Sequence, residues 1–221
     1  MNCFLYDHCN HVDCDKEFCM RKFKLTKLYD DALISETQRK HKDLFIDNDG
    51  TDRKEFFKLS EIQKSIVNYV RSGMNLYIHS KIAGNGKTSW SLRLVQCYFN
   101  KIWYDTDLSC KALFINVPSF LMMIKDNITK PNEVVQYIKD NIDKCDIVIW
   151  DDIGTKSATP FEHETLLYMI DSRINKGKAN IYTSNLNDDE MHQILGDRLS
   201  SRICSLSINI ELHGSDKRGI V

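Results

Sequence analysis

The stretch Gly84-Asn85-Gly86-Lys87-Thr88 restricts the possible folds of this chain most, because it stands where a strand hands over to a helix. Before it runs Leu76-Tyr77-Ile78-His79, a short β-rich segment. After it, between Ser89 and Trp103, Leu92, Val95, Tyr98, Phe99 and Ile102 recur at the three- and four-residue spacing of an amphipathic helix. A glycine-rich turn at such a junction lets backbone N–H groups converge on one cavity, and the helix N-terminus adds partial positive charge. Such a cavity suits di- and triphosphates. Gly84, Asn85, Gly86, Lys87, Thr88 and Ser89 are therefore the candidate nucleotide-binding residues. Lys87 would reach the β- and γ-phosphates, and the Thr88 hydroxyl would ligate Mg²⁺. One glycine of the full pattern is missing, since Lys81 occupies its place ahead of Gly86. The competing interpretation is a turn that reads like a phosphate loop by chance.

A second motif argues against chance. Asp146-Ile147-Val148-Ile149-Trp150 is one charge followed by a continuous apolar run, as a strand buried on both faces reads, and it ends in Asp151-Asp152. Carboxylates at a strand's C-terminal end, downstream of a phosphate loop, are what Mg²⁺-dependent hydrolysis requires. Asp151 would hold the ion, and Asp152 would orient and deprotonate the attacking water. Taken alone, the pair reads equally well as a solvated turn after a core strand. A third strand, Ile181-Tyr182-Thr183-Ser184-Asn185, again ends in polar residues. Asn185 is a candidate sensor beside the γ-phosphate, or else the cap of a helix beginning near Asp188. Arg198 and Arg202 then lie four apart, either as surface residues of a helix or as arginines that reach a neighbouring subunit's site.

These motifs occur together and in order with Asp151-Asp152-Ile153-Gly154, Thr183-Ser184-Asn185-Leu186 and Ser201-Arg202-Ile203. In this the chain resembles the DnaC/DnaI-type AAA+ helicase loaders and the related transposition ATPases, over residues 60–221. The resemblance implies an α/β fold: a P-loop AAA+ (ASCE) three-layer αβα arrangement around a parallel sheet, without a full helical lid. It implies ATP and Mg²⁺ as ligands, an arginine finger at Arg202 with Arg198 nearby, and a second sensor arginine at Arg218. It further implies a DnaB-type replicative helicase, single-stranded DNA and further copies of this chain as partners. In loaders the loop after Asp152 faces the DNA channel, which makes Lys156, Thr159 and Phe161 candidate DNA contacts, with Lys125 a further one. Phe161 reads equally as an aromatic packed in the core. The alternative functions are a transposition-associated DNA-binding ATPase and a nucleotide-gated adaptor. The adaptor stays open because Asp152 is one methylene shorter than the usual Glu.

The rest of the sequence sets bounds. With 221 residues and a net charge of −1, the chain has room for one core-forming domain and a smaller module, and it shows no global basic signature. No apolar run approaches the roughly 20 residues of a membrane span, and the N-terminus lacks an apolar signal core. The expectation is a cytoplasmic protein with no membrane partner. Of eight cysteines, Cys3, Cys9, Cys14 and Cys19 crowd the first residues together with His8 and His11. Soft thiolates and imidazoles in so short a segment can fold around tetrahedral zinc, although the irregular spacing also fits reduced surface thiols. Cys97, Cys110, Cys145 and Cys204 read as small buried apolar residues. Residues 1–25 are thus expected to be a Cys/His-rich zinc-binding module and 26–59 a charged linker with one short helix near Leu28–Arg39. Residues 60–221 would be the ATPase domain, opening with a helix from Ser60 to about Arg71. The Asp47-x-Asp49-Gly50 run reads as a plain turn.

Overall fold

A computed structural model describes residue 5 and residues 18–40, 44, 46–47, 49–127, 130–155 and 159–217. Four helices precede the first strand: α1 (Met20–Asp31), α2 (Glu36–Arg39), α3 (Arg53–Lys64) and α4 (Ile66–Arg71). Then β1 (Asn75–His79), α5 (Lys87–Ile102), β2 (Ala112–Asn116), α6 (Val117–Asp126), α7 (Glu133–Asn141) and β3 (Ile147–Asp151) follow. The chain continues through α8 (Pro160–Asn175), β4 (Ala179–Ser184), α9 (Asp188–Ser200), a π-helical turn (Ser201–Ser205) and β5 (Ser207–Glu211).

The five strands form one sheet in the order β2-β3-β4-β1-β5, every pair parallel. Parallel strands need crossovers, and crossover helices cover both faces, so the strands must be apolar on both sides. They are. Alternate residues divide between two cores: Leu76, Ile78, Ile147, Ile149 and Ile181 point toward α1, α3, α4 and α5. Tyr77, Val148, Trp150 and Tyr182 point toward α6, α7, α8 and α9. This is the expected three-layer αβα arrangement. The order places the C-terminal ends of β1, β3 and β4 side by side at one edge, where Gly84, Asp152 and Asn185 follow.

The segment before the sheet departs from expectation. The described part of residues 26–59 is not a tether outside the core, because Leu28 and Tyr29 of α1 and Phe56 and Leu59 of α3 are buried in the first core. The helix starts at Met20, ahead of the expected Leu28, with the Cys19 thiol accepting from Lys22 N at 3.5 Å. Ser60 caps nothing; it lies inside α3, which begins after Asp52.

Asp52 also fastens the far end of the domain. Its carboxylate accepts the N–H groups of His213 (2.8 Å) and Gly214 (2.7 Å), while Asp47 accepts that of Ser215 (2.7 Å). The expected turn at Asp47–Gly50 is therefore present and acts as an anchor. The strap 212–217 continues to the phosphate loop, where Lys217 N donates to Gly84 O at 3.0 Å and Asn85 Nδ2 to Leu212 O at 3.3 Å. Asp52→Asn keeps the size and the tolerance for the left-handed backbone found there (φ 65°) but leaves one acceptor for two N–H groups. Loss of one charge-assisted bond costs about 2 kcal/mol, roughly 4–8 °C in Tm for a domain of this size. Thermal unfolding followed by circular dichroism checks this; an unchanged Tm would remove Asp52 as the anchor.

Candidate nucleotide-binding site

The loop 80–86 leaves β1 and enters α5 through two glycines in left-handed conformations, Gly84 (φ 77°) and Gly86 (φ 108°). Residue 81 has no positive φ, so the missing first glycine costs the backbone nothing. Lys81 is exposed and pairs with Glu190 at 3.1 Å, clear of the loop's interior. The first turn of α5 carries no acidic residue, which leaves the helix N-terminus free to attract an anion. Lys87, the first residue of α5, is buried, and its Nζ donates to Ile82 O (2.9 Å) and Ser80 O (3.3 Å) at the throat of the loop.

Across this throat lie the acids. Thr88 Oγ1 donates to Asp151 Oδ1 at 2.8 Å, joining the phosphate loop to the end of β3. Thr183 Oγ1 donates to the same oxygen at 2.8 Å and accepts the N–H of Asp152 at 3.0 Å. Asn116 at the end of β2 is a further hydrogen-bond partner of Asp151. Burial raises the pKa of Asp151 above the ordinary carboxylate value in spite of these bonds, and Asp152 next to it adds repulsion. A carboxylate this dehydrated gains from a cation beside it. Asp152 stands in the left-handed region (φ 57°), where aspartate is tolerated far better than glutamate. The short acid at this position is thus a backbone requirement.

A cavity of about 510 Å³ opens over the loop, a size suited to a nucleotide. Gly84, Gly86, Lys87, Thr88 and Ser89 line one side, and Asp152 and Asn185 the other. The cap of α9 is Asn187, whose side chain accepts from Glu190 N, so Asn185 is not a helix cap. Thr37, Gln38 and Lys40 from the α2 region complete the wall. Gln96 Nε2 holds that region by donating to Gln38 O at 3.0 Å. Sequence reasoning missed Thr183, Asn116 and this α2 wall. Thr183 stood in a quoted motif and Asn116 at a strand end; α2 falls within the short helix expected near Leu28–Arg39, but nothing local places it beside the phosphate loop.

No protein-family model and no curated protein sequence matches the chain. Solved structures do. The DnaC helicase loader superposes with a TM-score of 0.60 at 15% identity, covering 73% of this chain and 89% of that one. The fold is that of the DnaC helicase loader. DnaI is similar at TM-score 0.59 and 20% identity, over 78% of this chain and 88% of its own. The replication initiator DnaA, solved with AMPPCP and single-stranded DNA, aligns at TM-score 0.58 and 17% identity over 78% of this chain and 49% of that one. At such identities the shared feature is the fold.

The remaining candidates fall outside the cavity lining. Arg198 is exposed on α9. Arg202, on the π-helical turn, pairs through Nε with Asp171 of its own chain and stays partly exposed. Thr159 caps α8, its hydroxyl oxygen accepting from Glu162 N at 3.4 Å. Phe161 is 57% exposed, which excludes the core alternative, and Lys125 is exposed at the end of α6. Cys3, His8, Cys9, His11, Cys14, Lys156 and Arg218 lie outside the described residues. Among the described residues no cluster of three or more His, Cys, Asp or Glu could hold a metal, and no helix is long and apolar enough to cross a membrane.

Proposed function

We propose that this chain binds and hydrolyses ATP with Mg²⁺ and uses the cycle to load a DnaB-type replicative helicase onto single-stranded DNA in the cytoplasm. The observation that carries the proposal is the meeting of Lys87, Thr88, Asp151 and Asp152 at one sheet edge in a fold shared with the DnaC helicase loader. Thr88 Oγ1 and Asp151 Oδ1 are hard oxygen donors 2.8 Å apart, a set that fits Mg²⁺. Bound there, the ion would neutralise charge on the β- and γ-phosphates.

The chain's own residues do the rest. Loop N–H groups and Lys87 bind the phosphates, Asp152 takes the proton of the attacking water, and Asn185 orients that water or the γ-phosphate. Arg218 reads the nucleotide as a second sensor. Phe161, Lys125 and Lys156 contact the DNA strand, while the hydroxyl of Thr159 is engaged in capping α8. Single-turnover hydrolysis with and without single-stranded DNA, with the helicase recovered by pull-down, tests the proposal. DNA-stimulated turnover and co-purification of a hexameric helicase are expected. Binding of ATP without turnover would leave the nucleotide-gated adaptor instead, and a preference for duplex DNA the transposition ATPase.

Arg202 acts on a neighbouring copy, with Arg198 beside it. Its side chain lies outside its own chain's nucleotide cavity, and the Asp171 pair would be exchanged on assembly. Arg202→Ala should leave ATP binding intact and lower turnover by about 10³-fold or more in the assembled state. Mixing Arg202→Ala with Lys87→Ala subunits should recover activity, because one interface then joins an intact loop to an intact arginine. No recovery, with assembly confirmed by light scattering, would place Arg202 in its own subunit's structure.

The N-terminal segment holds zinc through four of Cys3, Cys9, Cys14, Cys19, His8 and His11 and grips the helicase. Metal analysis of protein purified without chelator should give about one zinc per chain. A value near zero would reduce the segment to surface thiols.

A further inference from the structure

Two of the cysteines within the ATPase fold are neighbours. Ala112 and Ile147 are parallel partners at the start of β2 and β3, and Cys110 and Cys145 each lie two residues earlier. The equal offset brings the thiols together at the N-terminal edge of the sheet, opposite the nucleotide loop, within hydrogen-bonding reach of each other. Cys145 is fully buried, whereas Cys110 is half-buried, with its Sγ 3.2 Å from Ala112 O and 3.6 Å from Asp31 O.

Against this pair stands Arg173 of α8, a guanidinium with 0% exposure. It donates to the carbonyl oxygens of Ile142, Cys145, Asp146 and Ala179 and to Asn180 Oδ1. Among the described residues no carboxylate lies within ion-pair distance of it; its Nη1 instead stands 3.3 Å from Cys145 Sγ. A buried cation with only carbonyl partners favours negative charge beside it. Burial opposes ionisation of Cys145, yet the thiol of Cys110 and the Arg173 guanidinium outweigh it and hold the group below the ordinary thiol value. Cys110 is pushed the opposite way, far up, by its hydrogen bond to Cys145 and then by burial, while burial raises Cys97 and pushes Cys204 up to about 12.

We propose that Cys110 and Cys145 are a peroxide-oxidisable dithiol that closes to a disulfide across the β2–β3 edge. Cys110, the more accessible thiol, attacks hydrogen peroxide, and its proton goes to the departing hydroxide. An S–O bond forms as the O–O bond breaks, leaving Cys110 sulfenic acid and water. Cys145 then attacks the Cys110 sulfur, the S–S bond forms and the S–O bond breaks. The departing hydroxide takes the Cys145 proton as a second water. Two thiols are oxidised by two electrons and one peroxide is reduced, so no other co-reactant is needed. In a reducing compartment such a bond is transient, and it reports oxidant at a site independent of nucleotide.

The test treats the reduced full chain with hydrogen peroxide, blocks remaining thiols by alkylation, and maps tryptic peptides by mass spectrometry. The peptides 102–111 and 145–156 should be joined, lighter by two hydrogens than their sum, and released by reductant. Cys145→Ser should abolish the joined species and leave Cys110 as a sulfenic acid trapped by dimedone. Recovery of both peptides separately alkylated while Cys97 or Cys204 oxidises as fast, or joining of either to another cysteine, would overturn the proposal. None of these readouts depends on ATP turnover.

Discussion

Lys87→Ala should weaken ATP binding more than ~100-fold while the fold and its melting temperature change little. The lysine is the first residue of α5, and its side chain leaves the hydrophobic face for the throat of the phosphate loop. There Nζ is held by main-chain carbonyls of Ser80 and Ile82, partners that phosphate oxygens can replace. Each hydrogen bond to a charged group contributes about 1.5–3 kcal/mol, so two of them to phosphate account for a hundredfold or more. The buried lysine belongs to neither hydrophobic core, and alanine suits a helix start. Calorimetric titration with ATP and Mg²⁺ measures the loss, and far-UV circular dichroism guards against unfolding. Affinity within a few-fold of the unaltered chain would remove the phosphate-loop assignment altogether.

The sheet was legible in the sequence because its strands announce themselves twice. Asp146-Ile147-Val148-Ile149-Trp150 and Leu76-Tyr77-Ile78-His79 are apolar runs of strand length, and polar residues that suit a ligand follow each one. The first helices were legible only in part: α2 and α4 fall within the expected ranges, but the bounds and the burial of α1 and α3 did not show. Residues 20–59 hold ten Lys/Arg and eight Asp/Glu, which average away the stripe of Leu25, Leu28 and Tyr29 that buries α1. Their partner is the face of α5 and the sheet beyond it, a surface that local periodicity cannot see. The strap 212–217 escaped notice for the same reason: it is fixed by Asp47 and Asp52, more than 150 residues away in sequence.

The site divides along similar lines. Phosphate-loop residues are contiguous, so spacing alone finds them. The groups that orient Asp151 come from α5 and two neighbouring strands, and Thr183 and Asn116 meet it only because parallel register brings those strand ends level. Lys81 looked like a defect in the motif, yet the strained backbone lies at Gly84 and Gly86, not at residue 81. A pattern records which residue types recur; the dihedral angles show which positions require them.

Asp152→Asn should preserve ATP binding and slow hydrolysis by about 10²- to 10⁴-fold, the usual worth of a positioned general base. The substitution is structurally mild. Asparagine accepts the left-handed backbone at this position as well as aspartate does, and the Asp152 N–H keeps its bond to Thr183. Phosphate contacts lie on the other wall of the cavity, so affinity should hold. What disappears is basicity, since an amide cannot take the proton from water. Asp152→Glu makes the complementary test: it keeps the base but places a longer side chain on a backbone at φ 57° that disfavours it. Hydrolysis should then fall less than with asparagine, while Tm falls more. Single-turnover rates and thermal melts on the two variants separate chemistry from strain. Turnover of Asp152→Asn within a few-fold of the unaltered chain would pass the role to another acid, Asp151 first.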